Sequence, residues 1–370
     1  MRELYVFTGG YTEPIAMASG ETVPGQCRGI GCYRMNPETG TLTELAVSPS
    51  VPNPSAVCAD PSGPWLYAVS ERKESSGIPG STVSAYAIDP ETGRLTLLGS
   101  QATTGADACY VTLSPDSRWL LAANYSGGSV CVFPILPDHS LGGASCILRH
   151  RGYGINPARQ ESPHPHQTVV SPDGKWVYVP DLGLDRLTCY EADWERGWLL
   201  PDRRPDVAGL PGQGTRHCVF GPHGDRLYVV TEMTAEVNVY AFDPDSGRTV
   251  LLQTVSARLP DWDGGFLGAA IRLHPNGRLL YCSVRGSNHL AAFRIEGDGR
   301  LTLLGLTPSG GEIPRDFVLT PDGRWLLAGH QDSHTICVFA VDGENGTLRQ
   351  VFTQPDAGSV TTLSFWERNN

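Results

Sequence analysis

Pro61-Ser-Gly-Pro-Trp-Leu-Tyr-Ala-Val-Ser-Glu71 reads as a tight turn followed by a short strand, and the same pattern recurs five more times along the chain. The other copies run from Pro115 to Tyr125, Pro172 to Leu182, Pro222 to Glu232, Pro275 to Arg285 and Pro321 to Gln331, at intervals of 46–57 residues. Each is followed by an alternating strand that ends in an acidic or Gly-bearing turn, as in Val83 to Gly93 or Glu236 to Gly247. A seventh copy of this second signature, Gly29 to Gly40, lies near the N-terminus. Four short period-two strands joined by tight turns are the content of one propeller blade, and repeats of this period mark such architectures. The expectation is an all-β fold, a seven-bladed β-propeller of four-stranded antiparallel blades, with residues 1–370 forming a single domain.

The first unit is incomplete. Leu4 to Thr8 matches the second strand, Leu66 to Ser70, but nothing before it supplies an inner strand. Val360 to Trp366, a strand with no turn partner, is predicted to slot beside it and close the ring, which removes exposed sheet edges.

Composition bounds the function. The 370 residues carry 28 Lys plus Arg against 39 Asp plus Glu, a formal net charge of −11, so nucleic acid, which needs a basic face, is excluded as the main partner. The 43 Gly and 29 Pro are spread as turn punctuation and argue against a helical bundle. No run reaches the ~18 apolar residues of a membrane span, and Met1 to Gly10 lacks the apolar core of a signal peptide. A soluble cytoplasmic protein, monomeric or weakly dimeric, is expected. The 10 Cys include no C-x-x-C and mostly sit in apolar runs, as reduced, buried hydrophobes do. Lys73 and Lys175 are the only lysines, so any basic site must be built from Arg.

Aligning the units on the turn Pro makes equivalent positions comparable around the channel. Six residues before it stand Ser55, Cys109, His166, Arg216, Ala269 and Arg315; ten after it stand Glu71, Tyr125, Leu182, Glu232, Arg285 and Gln331. The two positions are expected to face each other across the ladder. That places Arg216 opposite Glu232, Arg285 opposite Ala269, Arg315 opposite Gln331 and His166 opposite Leu182. One His, one Glu and three Arg at one channel mouth reverse the sign of an acidic protein locally, the mark of a site for an anionic ligand. The bland alternative is that Arg216 and Glu232 merely tie two strands, although such a buried pair adds little to stability.

The connection leading to His166 is longer than the others, and long loops at a channel mouth are usually functional. His164 and His166 form an H-x-H pair, but no Asp, Glu or Cys at fixed spacing accompanies them, so no metal site is expected. His217 should point to the opposite face of its strand from Arg216. No G-x-S-x-G elbow occurs, and no Cys is paired with a His at equivalent repeat positions, which disfavours a covalent mechanism.

Arg159-Gln160, Pro163-His-Pro-His166, Thr215-Arg-His217, Glu232, Arg285 and Pro314-Arg-Asp-Phe317 together resemble the seven-bladed lactonase family, mostly 6-phosphogluconolactonases of the propeller type, with fungal carboxymuconate cyclases as relatives. The resemblance covers all seven units and implies active-site roles for His166, Arg216, Glu232 and Arg285. Thr215 stands where the family often has Pro, and Val284 where an Asn commonly precedes the Arg.

The expected function is hydrolysis of a sugar-acid lactone, 6-phosphoglucono-δ-lactone to 6-phosphogluconate, with no metal or cofactor and a small anionic lactone as the only partner. Ester cleavage needs a positioned water, a base and oxyanion donors. Glu232 or His166 would be the base and Arg216 and Arg285 the oxyanion donors, while Arg315, His164, Gln331 and Glu71 would bind substrate. A lactonising cyclase or lactone isomerase, acting on a carboxylated substrate, is the enzymatic alternative. A non-catalytic scaffold is the other, against which no G-H and W-D pair recurs per blade. Six-bladed calcium lactonases need carboxylates and Asn on the axis, where the aligned positions supply Arg and His.

Overall fold

The repeated turn dictates the blade. In the units at Pro172, Pro222, Pro275 and Pro321 the Pro occupies the second position of a hydrogen-bonded turn, closed by Gly174 N–H to Ser171 C=O at 2.8 Å, Gly224 to Gly221 at 3.0 Å, Gly277 to His274 at 2.9 Å and Gly323 to Thr320 at 2.8 Å. The closing Gly adopts φ of 70–73° in all four, the left-handed conformation that glycine reaches without steric penalty. This turn joins the inner two strands in each of these four blades.

The computed structural model describes residues 3–368 apart from 17–19, 21, 50, 76 and 202. Seven antiparallel sheets form the seven-bladed propeller. Blade five shows the plan: Thr215–Phe220, Arg226–Thr231, Glu236–Phe242 and Thr249–Ser256 pair in sequence order from the channel outward. Blade four departs from it. Its inner strand shrinks to Val169–Val170, because prolines 163 and 165 remove ladder donors from the preceding residues, and Val207–Ala208 adds a short fifth strand.

Ring closure follows the expectation. Val360–Arg368 pairs antiparallel with Glu3–Gly10 and becomes the inner strand of blade one. Leu363 and Val360 pack with Leu4, Val6 and Leu327, while Trp366 packs with Tyr5 and Leu66.

The repeat also encodes the joints between blades. In two units a buried Tyr six residues after the turn Pro reaches the outer turn of the next blade: Tyr228 Oη donates to Gly299 C=O at 3.0 Å, and Tyr281 Oη to Gly346 C=O at 3.1 Å. At these two joints the rim seats a hydroxyl that burial would otherwise leave unsatisfied.

One regularity is not visible in the repeat. In blades one, three, five, six and seven the ladder between the inner two strands slips by one residue, between Gly9 and Gly10, Ala108 and Tyr110, Thr215 and His217, Gly268 and Ile271, and Pro314 and Asp316. These β-bulges put an extra residue, including Cys109, Arg216 and Arg315, outside the pairing and turn it toward the channel. The direct facing expected from the alignment is therefore corrected. Thr215 pairs with Thr231, leaving Arg216 unpaired; Arg285 lies opposite Leu267, not Ala269; and His166, beside the bridge between Pro165 and Asp181, lies opposite Pro180, not Leu182.

Candidate active site

The bulges and the connection before His166 build one cavity at one channel mouth, about 270 Å³ in volume, lined by Glu71, Arg159, His164, His166, Glu232, Arg285 and Arg315 among others. Two short hairpins, Ile15–Ala16 with Thr22–Val23 and Glu74–Ser75 with Ile78–Pro79, flank it. Ile15, Ala16 and Lys73 reach its wall.

Glu232 is the centre of charge. Its Oε2 accepts from Arg216 Nε at 3.0 Å and Arg285 Nη2 at 2.8 Å, and its Oε1 from Arg159 Nη2. Burial opposes the carboxylate's charge, but Arg285, Arg159 and Arg216 outweigh it and hold the group well below the usual carboxylate range. Burial, and then Arg285, pull Arg216 below its ordinary value, yet the guanidinium remains cationic at neutral pH. Arg216, 2% exposed, also donates from Nη1 to Ala269 C=O at 2.6 Å. It lies beneath the main cavity, against a deeper channel pocket that it shares with Cys109, His166, Glu71 and Arg315.

His166 is fully enclosed by protein and channel. Burial, then Arg216, hold its imidazole well below the usual histidine range, so it is neutral at pH 7. Its Nδ1 lies 3.7 Å from Cys109 Sγ, and its ring packs edge-on against Tyr125 and His217. Two expectations change here. Cys109 and His166 do occupy equivalent repeat positions and do meet, but burial pushes the Cys109 thiol up, the reverse of what an activated thiolate needs. His217, expected on the far side of its strand, has Nε2 3.3 Å from Arg216 Nη1, because the bulge brings consecutive side chains to the same side.

The segment from 150 to 166 is fixed by buried polar groups. Asp181 Oδ1 accepts the His164 N–H at 2.7 Å while its Oδ2 meets His150 Nδ1 at 2.6 Å. Gln160 Nε2 donates to Leu182 C=O at 2.9 Å. Gly183 permits the close packing, since a Cβ there would stand 1.8 Å from Ser162 O. So held, the segment delivers Arg159 to Glu232 and stacks His164 on Tyr125 with ring centroids 4.4 Å apart. Arg159 was not among the expected site residues, although it belongs to the Arg159-Gln160 block. It sits in the one connection with no repeat equivalent, which the alignment could not reach.

Arg315 lines the cavity, and among the described residues no carboxylate oxygen lies within 4.0 Å of its guanidinium. Its contacts are Gln331 Oε1 at 3.4 Å and the Tyr11 ring at 5.6 Å. Gln331 is buried and does not border the cavity; it touches Arg315. Among the described residues no three His, Cys, Asp or Glu side chains converge as a metal-ligand set. No described helix is long and apolar enough to cross a membrane.

Comparison with known proteins agrees with this geometry. Residues 5–365 match the family model described as Lactonase, 7-bladed beta-propeller. A protein of Bacillus subtilis named 6-phosphogluconolactonase is 32% identical over 330 residues, 89% of this chain and 92% of that one. A Klebsiella pneumoniae protein of the same name is 30% identical, covering 84% of this chain and 87% of its own. The structure of Pseudomonas aeruginosa periplasmic gluconolactonase superposes with a TM-score of 0.88 at 31% identity, over 98% of this chain and 99% of that one.

Proposed function

The chain belongs to the seven-bladed β-propeller lactonase family, and from that premise we propose that it hydrolyses a sugar-acid lactone, opening 6-phosphoglucono-δ-lactone to 6-phosphogluconate. The observation that carries this reading is the convergence of three guanidiniums on the single carboxylate of Glu232 at the cavity wall. Glu232 neutralises one of the three guanidiniums it touches, and Arg315 has no carboxylate partner. An anionic substrate supplies the missing charge, and guanidinium forks suit a phosphate or carboxylate. Relatives' names divide between a phosphorylated and an unphosphorylated gluconolactone; the free guanidinium of Arg315 favours the phosphorylated one.

In this reading His166 is the base. A neutral imidazole on the cavity wall accepts a proton from water at pH 7, whereas Glu232, with both oxygens engaged and its proton affinity suppressed, does not. Glu232 instead anchors Arg159 and Arg285, whose guanidiniums line the cavity and stabilise the oxyanion formed as water adds to the carbonyl carbon. Arg216 holds Glu232 from below, and Arg315 with His164 grips the phosphate. A cytoplasmic location belongs to the same reading, all ten cysteines being free thiols.

The test is acid release from 6-phosphogluconolactone and gluconolactone, followed by titration in the presence of a chelator. Faster turnover of the phosphorylated lactone is expected. Inactivity on both lactones, with a carboxylate ligand still bound, would replace hydrolysis with the cyclase or isomerase alternative.

A further inference from the structure

Hydrolysis of an alkyl lactone needs an acid as well as a base, because the ring oxygen leaves as a strongly basic alkoxide unless it is protonated. Glu71 closes blade two at the position Glu232 holds in blade five. The two carboxyls have opposite surroundings. Glu232 receives three guanidiniums, whereas among the described residues no Arg or Lys side-chain nitrogen lies within 4.0 Å of the Glu71 carboxyl oxygens. Tyr11 Oη donates to Glu71 Oε1 at 3.3 Å, and Oε2 is buried without a hydrogen-bond partner of good geometry. Asn53 pins the backbone, accepting the Glu71 N–H at 2.9 Å and donating from Nδ2 to its C=O at 3.3 Å.

Glu71 also stands where it is needed. It borders the main cavity and the deeper channel pocket, and His166 borders both as well. The charged and titratable groups facing it are Tyr11, Asp107, Cys109 and Arg315. Burial pushes its carboxyl up and Asp107 adds to that, while Arg315, Ser55 and Tyr11 oppose it. A carboxyl pushed up and an imidazole pulled down, both on the walls of one cavity, are the arrangement that assigns acid and base.

We infer that Glu71 is the general acid, delivering its proton to the ring oxygen as the lactone C–O bond breaks. The inference rests on the lactonase reading above. Water adds to the carbonyl carbon as His166 takes one of its protons. On collapse the C–O electron pair stays on the ring oxygen, and the Glu71 proton makes it a hydroxyl. The carboxylic acid so formed ionises and reprotonates Glu71, and His166 gives its proton to solvent, so one proton is released per turnover.

The experiment compares wild type, Glu71→Gln and Glu71→Asp on gluconolactone and on dihydrocoumarin, whose phenoxide leaves without help from an acid. Glu71→Gln should lower kcat on gluconolactone by roughly 10²–10⁴-fold and on dihydrocoumarin by less than about tenfold. Wild-type kcat should fall on the alkaline side as Glu71 ionises. That fall should vanish in Glu71→Gln and persist, at reduced rate, in Glu71→Asp. The gluconolactone profile suffices if the aryl lactone is not a substrate. Equal losses on both lactones, a raised KM with unchanged kcat, or an alkaline limb that survives in Glu71→Gln would each overturn the assignment. A wild type inactive on both lactones and on the phosphorylated one would instead overturn the lactonase reading and take this inference with it.

Discussion

Arg285 Nη2 lies 2.8 Å from Glu232 Oε2, joining the channel ends of two strands from neighbouring blades. Arg216 and Arg159 bind the same carboxylate, so its charge holds three like-charged groups together. Removing that charge from one side should destabilise the fold by about 3–5 kcal/mol, as for other buried pairs, since the guanidiniums are left uncompensated. Glu232→Gln is therefore expected to lose both stability and activity in chemical denaturation and turnover assays. A variant as stable as wild type would show that the charges are relieved by solvent.

The same carboxylate predicts an acid limb in stability. Its folded-state value is depressed, so its contribution is fully present above the ordinary Glu value of about 4.3 and is lost as pH falls through the lower folded value. Wild type should lose stability below about pH 4.3 more steeply than Glu232→Gln. Parallel denaturation midpoints for the two proteins from pH 7 to pH 3 would contradict this.

Arg159 separates site from scaffold. It is delivered by a connection outside the blades and its side chain is partly exposed, so Arg159→Ala should melt close to wild type. Truncating one partner of a hydrogen-bonded buried charge pair costs about 2–5 kcal/mol where that pair meets the ligand. Expressed as kcat/KM, the expected loss is on the order of 10²-fold or more. A large loss of melting temperature with little kinetic change would make Arg159 a strut.

What was legible in the sequence was whatever the turn repeat carries. The recurring turn Pro gave the blades, and the unmatched strands at Leu4 and Val360 gave the closure. Counting from the turn Pro also brought His166, Arg216, Glu232, Arg285, Arg315 and Glu71 to one end of the channel, where the structure places them together. The bulges were hidden because an extra residue leaves no mark in composition or alternation. Arg216 was consequently given a ladder partner it lacks, and His217 the wrong side. Arg159 and the Cys109 contact with His166 depend on a connection unique to blade four, about which six other units carry no information.

His166 should set the acidic limb of the rate profile. A base works unprotonated, and burial with Arg216 depresses its value, so activity should persist below pH 6.5, where an ordinary histidine would be more than half protonated. His166→Asn should lower kcat by roughly 10²–10⁴-fold and remove that limb. A wild-type limb centred at or above pH 6.5 would argue that another group is the base.

Arg315 tests the class of substrate. Gln331 supports its guanidinium at 3.4 Å and the Tyr11 ring packs beside it, but Glu71 and Glu232 act on its charge only from a distance, with no carboxylate oxygen among the described residues within 4.0 Å. A phosphate on the substrate would answer it through charge-assisted hydrogen bonds, roughly twice as strong as neutral ones. Arg315→Ala should therefore raise KM for 6-phosphogluconolactone far more than for gluconolactone, leaving kcat on the unphosphorylated lactone within a few fold, as expected for lost ground-state binding. Equal losses on the two substrates would place Arg315 at the lactone ring and remove the argument for a phosphate.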